Sequence, residues 1–394
     1  MKERHRIAVT GIGTISPGGS TLHGLWHSLF VTPIPGHHSV KDWDPSPWLT
    51  GLQARHTDRF AQFAVAAAEE AAADAGPVDI ASSRAGVVIA TALGGIGTAE
   101  SQAFANQAGS RRVSPYAIPM IMPNSAAAWV SIGRRWRGPC ETITTACAAG
   151  TDAIGRAAEL IANNTCDVVL AGGAEAAATP MVISGFSMMR ALSTEGVLRP
   201  FDENRDGFVV SEGATILQLE NWRIATSRGT HIYGEILGWA RSSDGYDVTA
   251  PLPDGTAAAQ CIESALAEAN VRPQEVSQVN AHGTGTRLND RAEAEALGLV
   301  FSSSAPPVTS IKGATGHAFG ASGALELASV LLSMQHHRIP PTVGIRSQDR
   351  SLDLDVVAAS GRPWEPGVTI SNSFGFGGHN SCVVVGPGSL DSSC

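Results

Sequence analysis

The chain has 394 residues, a formal net charge of −9 and 43% hydrophobic residues, whereas only 16% of its residues are charged. The negative charge argues against nucleic acid or an anionic membrane surface as a partner, and the apolar content excludes a disordered chain. A chain of this length predicts two or three domains or one large duplicated fold. The six cysteines show neither C-x-x-C pairing nor metal-type Cys/His spacing, which predicts reduced thiols and no metal site.

The N-terminus runs directly from a charged segment into a short apolar strand at residues 7–10. The sequence has neither the apolar segment of a signal peptide nor an apolar run of roughly 18 residues, which a membrane-spanning helix requires. We therefore expect a cytoplasmic protein that does not contact membranes.

Short apolar strands alternate with helical stretches along the chain. The predicted strands are residues 7–10, 86–90, 168–171, 215–219, 278–281, 369–372 and 382–385, and the predicted helices are residues 60–75, 151–163, 257–269 and 321–336. This alternation indicates an α/β fold in which helices cover both faces of parallel or mixed sheets. The alternation restarts after residues 221–230, which predicts two duplicated halves, residues 1–222 and residues 223–394.

The glycine-rich segment Gly11–Ser16 follows the first predicted strand and is interpreted as a turn. Its position is typical of a dinucleotide-binding loop. The segment lacks the third glycine of that motif, and no strand ending in an acidic residue follows at the expected distance. A dinucleotide cofactor site is therefore disfavoured.

Cys147 lies where an apolar strand meets an amphipathic helix, whose apolar stripe includes Ile154 and Ile161. A thiol in the first turn of a helix is close to the positive end of the helix dipole and to free N–H groups, and both favour the nucleophilic thiolate. Most free cysteines are instead buried structural residues. This segment alone leaves catalysis and packing equally open.

Three further strand ends carry polar residues on glycine-rich turns. His282 follows one strand, Lys312 and His317 flank a second turn with Glu326 further along, and residues 372–380 form a glycine-rich loop. Each feature alone has an ordinary structural explanation, such as a core histidine or a solvated lysine. Their occurrence together with a thiol at a helix start indicates a single active site.

These motifs resemble those of a β-ketoacyl-acyl carrier protein synthase of the elongating Cys-His-His type. The resemblance runs from residue 7 to about residue 386 and includes the segments Val169–Glu175, Pro200–Phe208 and Asp244–Pro251. It implies a thiolase-like fold, with two duplicated α/β halves in a five-layered α-β-α-β-α arrangement with mixed sheets. A degradative thiolase would carry a second cysteine in the C-terminal glycine loop, and a chain-initiating synthase would have asparagine at the position of His317. Cys382 lies beyond that loop and is predicted to be a packing residue.

The resemblance also implies the roles of individual residues. Cys147 would carry the acyl group, and the N–H groups of Cys147 and Phe376 would form an oxyanion hole. His282 and His317 would stabilise an enolate, with Lys312 and Glu326 in support. Thr284 and Thr286 would hold the phosphopantetheine arm, and Phe374 and Phe376 would form a gating loop. Asp290 and Glu293 are either supporting residues or partners of a helix dipole. No metal or redox cofactor is implied.

The implied partners are an acyl carrier protein and a second synthase-like subunit. Arg111, Arg112 and Arg190 match the family's carrier-contacting residues, and Arg55 and Arg59 are weaker candidates. Ala117 stands where relatives often have a bulky aromatic residue at the dimer interface, which favours a roomier acyl pocket or a non-identical partner.

The pathway is left open between polyketide and fatty acid synthesis. Ala117, the short segment 30–60 with its three nearby tryptophans and the arginine-rich composition favour a type II polyketide ketosynthase working with a chain-length-factor subunit. The alternatives are a homodimeric fatty-acid elongating synthase and a non-catalytic partner subunit. The last is disfavoured because Cys147, His282, Lys312 and His317 are all present. His379 stands where many bacterial relatives have threonine and is given no catalytic role.

Overall fold

The structure, a computed structural model, describes residues 5–107, 113–302, 305–358 and 360–388. Within these ranges ten strands form one mixed sheet and two short strands form a separate pair. The strands are β1 (Ile7–Ile15), β2 (Ala85–Ala90), β3 (Cys140–Ile143), β4 (Val168–Glu175), β5 (Gly213–Asn221), β6 (Gly234–Ser243), β7 (Val276–Asn280), β8 (Val308–Thr309), β9 (Arg338–Ile339), β10 (Arg362–Pro363), β11 (Val368–Gly375) and β12 (His379–Pro387).

Thirteen α-helices occur in the described residues. They are α1 (Leu22–Ser28), α2 (Gly51–Arg55), α3 (Arg59–Ala75), α4 (Ile96–Gln107), α5 (Ala117–Ile121), α6 (Ser125–Arg134), α7 (Ala149–Ala162), α8 (Pro180–Met188), α9 (Trp222–Ser227), α10 (Thr256–Ala269), α11 (Arg287–Phe301), α12 (Lys312–Thr315) and α13 (Ser322–His336). The four predicted helices are confirmed as α3, α7, α10 and α13. In the part of the chain that the structure describes, no helix has both the length and the apolarity needed to cross a membrane.

The order of the sheet reveals an internal duplication. The first half is ordered β3-β2-β4-β5-β1 from its edge inward, and the second half repeats this order as β8-β7-β11-β12-β6. In each half the outer pairs are parallel and the inner pairs are antiparallel. The halves join where β1 pairs with β6, so one hydrogen-bonded sheet runs through both. The predicted boundary between the halves, after residue 222, follows the first residue of α9. The division of the chain into two domains at this point stays a prediction.

The predicted turn at Gly11–Ser16 is wrong, because residues up to Ile15 continue β1. Gly11 and Gly13 are instead packing positions: a Cβ on either one would overlap the backbone of α3. The glycines therefore let a helix approach the strand closely, and they do not form a phosphate-binding loop.

The helices form three layers around the two half-sheets. Helices α3 and α6 cover the outer face of the first half, and α10 and α11 cover that of the second. Helices α7 and α13 contact each other and both half-sheets, so they form the central layer. This agrees with the five-layered arrangement expected from the sequence.

Each central helix follows a short 3₁₀ turn that begins with a left-handed residue. Before α7 the turn is Ala146–Ala148, with Ala146 at φ 50°, and before α13 it is Phe319–Ala321, with Phe319 at φ 43°. The duplication thus places Cys147 in the first turn and Gly320 in the second at equivalent positions.

Candidate active site

Cys147 lies in the turn between β3 and α7, on the wall of a pocket of about 760 Å³. The left-handed conformation of Ala146 bends the chain sharply before the cysteine. Left-handed backbone at a non-glycine residue is rare and concentrates at functional sites. Most of the predicted site residues also line this pocket: His282, Thr284, Thr286, His317, Phe374 and Phe376.

His317 contacts the thiol directly. Its Nε2 lies 3.1 Å from Cys147 Sγ, and its Nδ1 lies 3.0 Å from the hydroxyl oxygen of Ser322, which also accepts a hydrogen bond from the Ala318 N–H. Burial, helped by the charge of Lys312, lowers the pKa of His317 well below its usual value. His317 is therefore a neutral imidazole at neutral pH.

The thiol itself rests in its protonated form. Burial raises the pKa of Cys147 to about 12, although the charge of Lys312 and a hydrogen bond from the Phe376 N–H oppose this rise. Burial thus opposes the thiolate that the helix start was expected to favour. The N–H groups of Ala148 and Ala149 already donate to Thr145 and Ala146 within the turn, and burial outweighs the remaining field.

Lys312 is a buried cation whose three donors are all engaged. Its Nζ donates to the His282 carbonyl oxygen (2.6 Å), to His282 Nδ1 (3.2 Å) and to Glu326 in a short ion pair. Burial raises the pKa of Glu326 to about 7, and the lysine opposes that rise. Because Nδ1 accepts from a permanent donor, the proton of neutral His282 lies on Nε2.

Two carboxylates hold the turn that carries His282. Glu293 accepts hydrogen bonds from the N–H groups of His282 and Gly283, both at 2.8 Å. Asp290 accepts from the N–H groups of Phe201 (2.8 Å) and Gly285 (3.1 Å). Burial raises the pKa of Glu293 to about 7 and that of Asp290 to about 6. Of the two interpretations left open by the sequence, support of the histidine turn fits these contacts.

The glycine-rich loop after β11 packs against the cysteine turn. A Cβ on Gly375 would lie 3.1 Å from the backbone nitrogen of Cys147 and 2.8 Å from the carbonyl oxygen of Thr145. The Phe374 ring lies 5.9 Å from the His282 ring, and the Phe376 ring lies 6.3 Å from that of Phe186. The loop thereby places the Phe376 N–H beside Cys147, toward whose thiol it donates a hydrogen bond.

The sequence matches the family model described as β-ketoacyl synthase, N-terminal domain, over residues 31–223 and that described as β-ketoacyl synthase, C-terminal domain, over residues 233–346. This chain belongs to the β-ketoacyl synthase family. It is 39% identical to the 3-oxoacyl-[acyl-carrier-protein] synthase 2 of Synechocystis sp., an alignment that covers 96% of this chain and 97% of the relative. The synthase 2 of Staphylococcus aureus is 37% identical, with coverage of 98% and 99%.

Solved β-ketoacyl synthase structures share the fold over the whole chain. The ishigamide ketosynthase/chain length factor matches with a TM-score of 0.92 and 30% identity, covering 98% of this chain and all of that one. A β-ketoacyl synthase from Burkholderia phymatum matches with a TM-score of 0.90, again at 30% identity and with the same coverage. The predicted thiolase-like ketosynthase fold is confirmed.

Other predicted residues of this β-ketoacyl synthase lie at the pocket mouth or away from it. Thr284 and Thr286 line the pocket with their hydroxyl oxygens 3.0 Å apart, and exposed Arg190 also lines it. Ala117 is buried at the start of α5 and does not line the pocket of its own chain. Arg111 and Arg112 lie outside the described residues.

The segment between residues 30 and 60 packs on α3 and does not line the pocket. Trp43 stacks on Trp48 with ring centres 5.6 Å apart, and its Nε1 donates to the Gln62 side chain of α3. Arg59 pairs with Glu212 at 2.7 Å. This ion pair gives Arg59 a structural role and weakens its candidacy as a docking residue.

Two residues of the site were not assigned from the sequence. Ser322 holds Nδ1 of His317, and Glu175, at the end of β4, is fully buried beside the pocket wall. The signal for Glu175 was available: it is the only charged residue in the otherwise apolar segment Val168–Glu175. Ser322 could not be assigned from the sequence, because its hydrogen bond to His317 depends on how the turn between the two residues folds.

Proposed function

We propose that this enzyme catalyses the decarboxylative condensation of malonyl-acyl carrier protein with an acyl group held on Cys147. The observation that carries this proposal is the contact between Cys147 Sγ and His317 Nε2 at 3.1 Å, on the wall of a pocket that His282 also lines. A thiol beside a neutral imidazole is a nucleophile with its base in place.

In the first half-reaction Cys147 takes the acyl group from a carrier thioester. As the sulfur attacks the carbonyl carbon, its proton passes to His317 Nε2 and then to the departing pantetheine thiolate. The oxyanion points to the N–H groups of Cys147 and Phe376, and one such donor contributes about 3 to 4 kcal/mol to catalysis.

In the second half-reaction malonyl-acyl carrier protein loses CO2 and forms an enolate. Between the two half-reactions the ring proton of His317 passes from Nδ1 to Nε2 by exchange with water, and the Nε2 protons of His282 and His317 then stabilise the enolate oxygen. The enolate carbon attacks the acyl-cysteine carbonyl, and Cys147 leaves as a thiolate that takes up one proton. Ser322 supports both halves, because its hydroxyl can accept from or donate to Nδ1 and so fits either tautomer of His317.

The reaction needs no metal or redox cofactor, because the thioester activates the carbonyl and decarboxylation drives the condensation. Lys312 holds the tautomer of His282, and Glu326 balances its buried charge. We place the enzyme in the cytoplasm, where its carrier-bound substrates are made.

The acyl carrier protein is the proposed donor of both substrates. The solved type II polyketide complex AntDE:AntF, which matches this chain with a TM-score of 0.88 and 30% identity, is described as an acyl-carrier protein in complex with its ketosynthase. Carriers are acidic, so docking to a chain of net charge −9 requires a local basic surface. Arg190 at the pocket mouth provides one positive charge, and Arg111 and Arg112 are the further candidates.

A second subunit is proposed to cover the β3 edge of the sheet. Strand β3 has a free edge, and its residues are only partly buried or exposed. Helices α4, α5 and α6 extend the same surface and expose Phe104, Ile118 and Ile132. An apolar surface beside an open strand edge favours pairing with another chain. Ala117 is buried beneath this surface at the start of α5, so it can act on a partner only by shaping the surface above it.

We favour a chain-length-factor partner in type II polyketide assembly, because Ala117 stands where relatives often have a bulky aromatic residue at the dimer interface. A homodimeric fatty-acid elongating synthase is the second candidate, favoured by the 39% identity to the Synechocystis enzyme. The two candidates are distinguished by co-expressing this chain with a chain-length-factor subunit encoded next to it and testing whether condensation requires that subunit. A homodimer that elongates saturated acyl carriers unaided would establish the second candidate.

The condensation itself is tested by incubating the protein with acyl-acyl carrier proteins and locating the acyl group by mass spectrometry. We expect acylation at Cys147 and, after addition of malonyl-acyl carrier protein, release of a β-ketoacyl product. Cys147→Ala should abolish both. Cys261→Ala, which removes a thiol of α10 outside both the pocket and the proposed interface, is the matched control and should retain both. No acylation of the wild type, or full condensation by Cys147→Ala, would refute the proposal.

A further inference from the structure

Glu175 is a fully buried carboxylate that the proposed reaction does not use. One oxygen accepts hydrogen bonds from the Thr91 hydroxyl (3.2 Å) and the Leu93 N–H (3.3 Å). The other accepts from the N–H groups of Ala92 (2.7 Å) and Gly320 (3.2 Å). Among the described residues, no lysine or arginine forms an ion pair with this carboxylate. Four neutral donors hold it, which is a costly arrangement for a buried charge unless the arrangement is used.

These four donors belong to two segments that are distant in sequence, residues 91–93 and the turn that contains Gly320. Ala92 and Leu93 line the pocket, and Gly320 lies in the turn that follows His317. A Cβ on Gly320 would lie 2.5 Å from the Ala92 nitrogen. The wall and the histidine turn are therefore in backbone contact, and Glu175 is the side chain that binds them together.

Comparison of the two duplicated halves shows that Glu175 stands where the second half has a glycine. Strands β4 and β11 are equivalent, each has eight residues, and they end at Glu175 and Gly375. Gly375 packs beside the Cys147 nitrogen, whereas Glu175 binds the nitrogen of Gly320, the equivalent of Cys147. In the first half of the fold the Cys147 N–H is left for a substrate oxygen. In the second half the equivalent N–H, that of Gly320, is already bound by the Glu175 carboxylate.

The charge of Glu175 reaches the nucleophile. It raises the pKa of Cys147, as Glu326 does, while Lys312 lowers that pKa and His317 contacts the sulfur. Burial raises the pKa of Glu175 itself to about 7, and its hydrogen bonds to Ala92 and Gly320 limit the rise. Since a carboxylic acid is ionised above its pKa, the charge is present at pH 8 and above.

We propose that Glu175 is a positioning residue that fixes the pocket wall against the His317 turn and whose negative charge, added to the effect of burial, helps to keep Cys147 a thiol until His317 removes its proton. This inference rests on the proposed role of Cys147 as nucleophile. Its consequence is that little thiolate is present before an acyl donor binds, which protects the sulfur on the pocket wall from adventitious electrophiles.

The test is the pH dependence of Cys147 alkylation by iodoacetamide, measured by mass spectrometry of the Cys147 peptide between pH 6 and pH 10. The thiolate is the reactive form, so the rate rises with pH. Glu175→Gln removes the charge at constant size. We expect alkylation at pH 8 to be at least about threefold faster than in the wild type, with the profile displaced to lower pH. Thr91→Val removes one of the four hydrogen bonds to Glu175, together with the bond that the same hydroxyl accepts from the Gly94 N–H, but keeps the charge, and its profile should match the wild type.

The positioning role has its own variant. Glu175→Asp keeps the charge but withdraws it by one methylene, so we expect a wild-type alkylation profile with condensation reduced about tenfold or more. A wild-type profile in folded Glu175→Gln would overturn the electrostatic role. Wild-type condensation by Glu175→Asp would overturn the positioning role. Alkylation requires no acyl carrier, so failure of the wild type to condense would count against the proposed function alone.

Discussion

The two turns that precede α7 and α13 are the same structure used for different purposes. Each is a 3₁₀ turn opened by a left-handed residue, and each leads into a buried central helix. The first places Cys147 at its second position and keeps a glycine beside the cysteine amide. The second places Gly320 there and fills the space around its amide with the Glu175 carboxylate. The two turns thus share one backbone geometry. The residues at two equivalent positions, Cys147 or Gly320 in the turn and Gly375 or Glu175 beside it, distinguish the nucleophile turn from the histidine turn.

The largest effect is expected from a methyl group in the nucleophile turn. In Gly375→Ala the new Cβ would lie 2.8 Å from the Thr145 carbonyl oxygen and 3.1 Å from the Cys147 nitrogen, so the proposed oxyanion hole would be displaced. We expect acylation of Cys147 to fall by about 100-fold or more, measured by single-turnover mass spectrometry. Gly185→Ala, in exposed α8 with open space around it, is the control and should acylate normally. Normal acylation by Gly375→Ala would mean that the two turns differ less than we propose.

The same change in the histidine turn should act on stability. In Gly320→Ala the Cβ would lie 2.5 Å from the Ala92 nitrogen and would separate the wall from the turn. We expect a loss of about 1 to 3 kcal/mol in the free energy of unfolding, measured by urea denaturation. Gly298→Ala, on the exposed side of α11 with nothing close to it, should instead gain about 0.5 to 1 kcal/mol. An unchanged Gly320→Ala protein would contradict the close packing of this turn.

A smaller effect is expected from Ser322, the first residue of α13. Ser322→Ala leaves Nδ1 of His317 without its partner and removes an acceptor of the Ala318 N–H. We expect turnover to fall about tenfold with little change in substrate affinity, because Ser322 lies behind the histidine. Ser322→Thr, which restores the hydroxyl, should recover part of the rate. A change confined to KM would argue against an effect through His317.

The sequence predicted those features that depend on local pattern. The helix start after an apolar strand identified Cys147, and the glycine-rich turns after other strands identified His282, Lys312 and His317. The structure brings all four together. The helix boundaries were close because apolar periodicity and helix starts are local properties.

Features that depend on pairs of distant segments were missed or misassigned. Gly11 and Gly13 were interpreted as a turn because the α3 residues whose close approach requires them lie 54 to 64 residues away along the chain. The rise in the pKa of Cys147 to about 12 was not predicted, because its main cause is burial, which depends on the packing of distant segments and not on the local sequence. One of the four donors to Glu175 is the N–H of Gly320, which is 145 residues away in the sequence, and only the folded chain brings the two residues into contact.

The central position of α7 and α13 also has a consequence for how the chain folds. Every residue of α13 from Ser322 to Met334 is buried, and its neighbours belong to both half-sheets. During synthesis the first half therefore exposes the apolar face of α7 until more than 150 further residues have been added. Hydrogen exchange should show the amides of α7 and α13 opening together and only with global unfolding. The nascent first half would be a natural client for a chaperone.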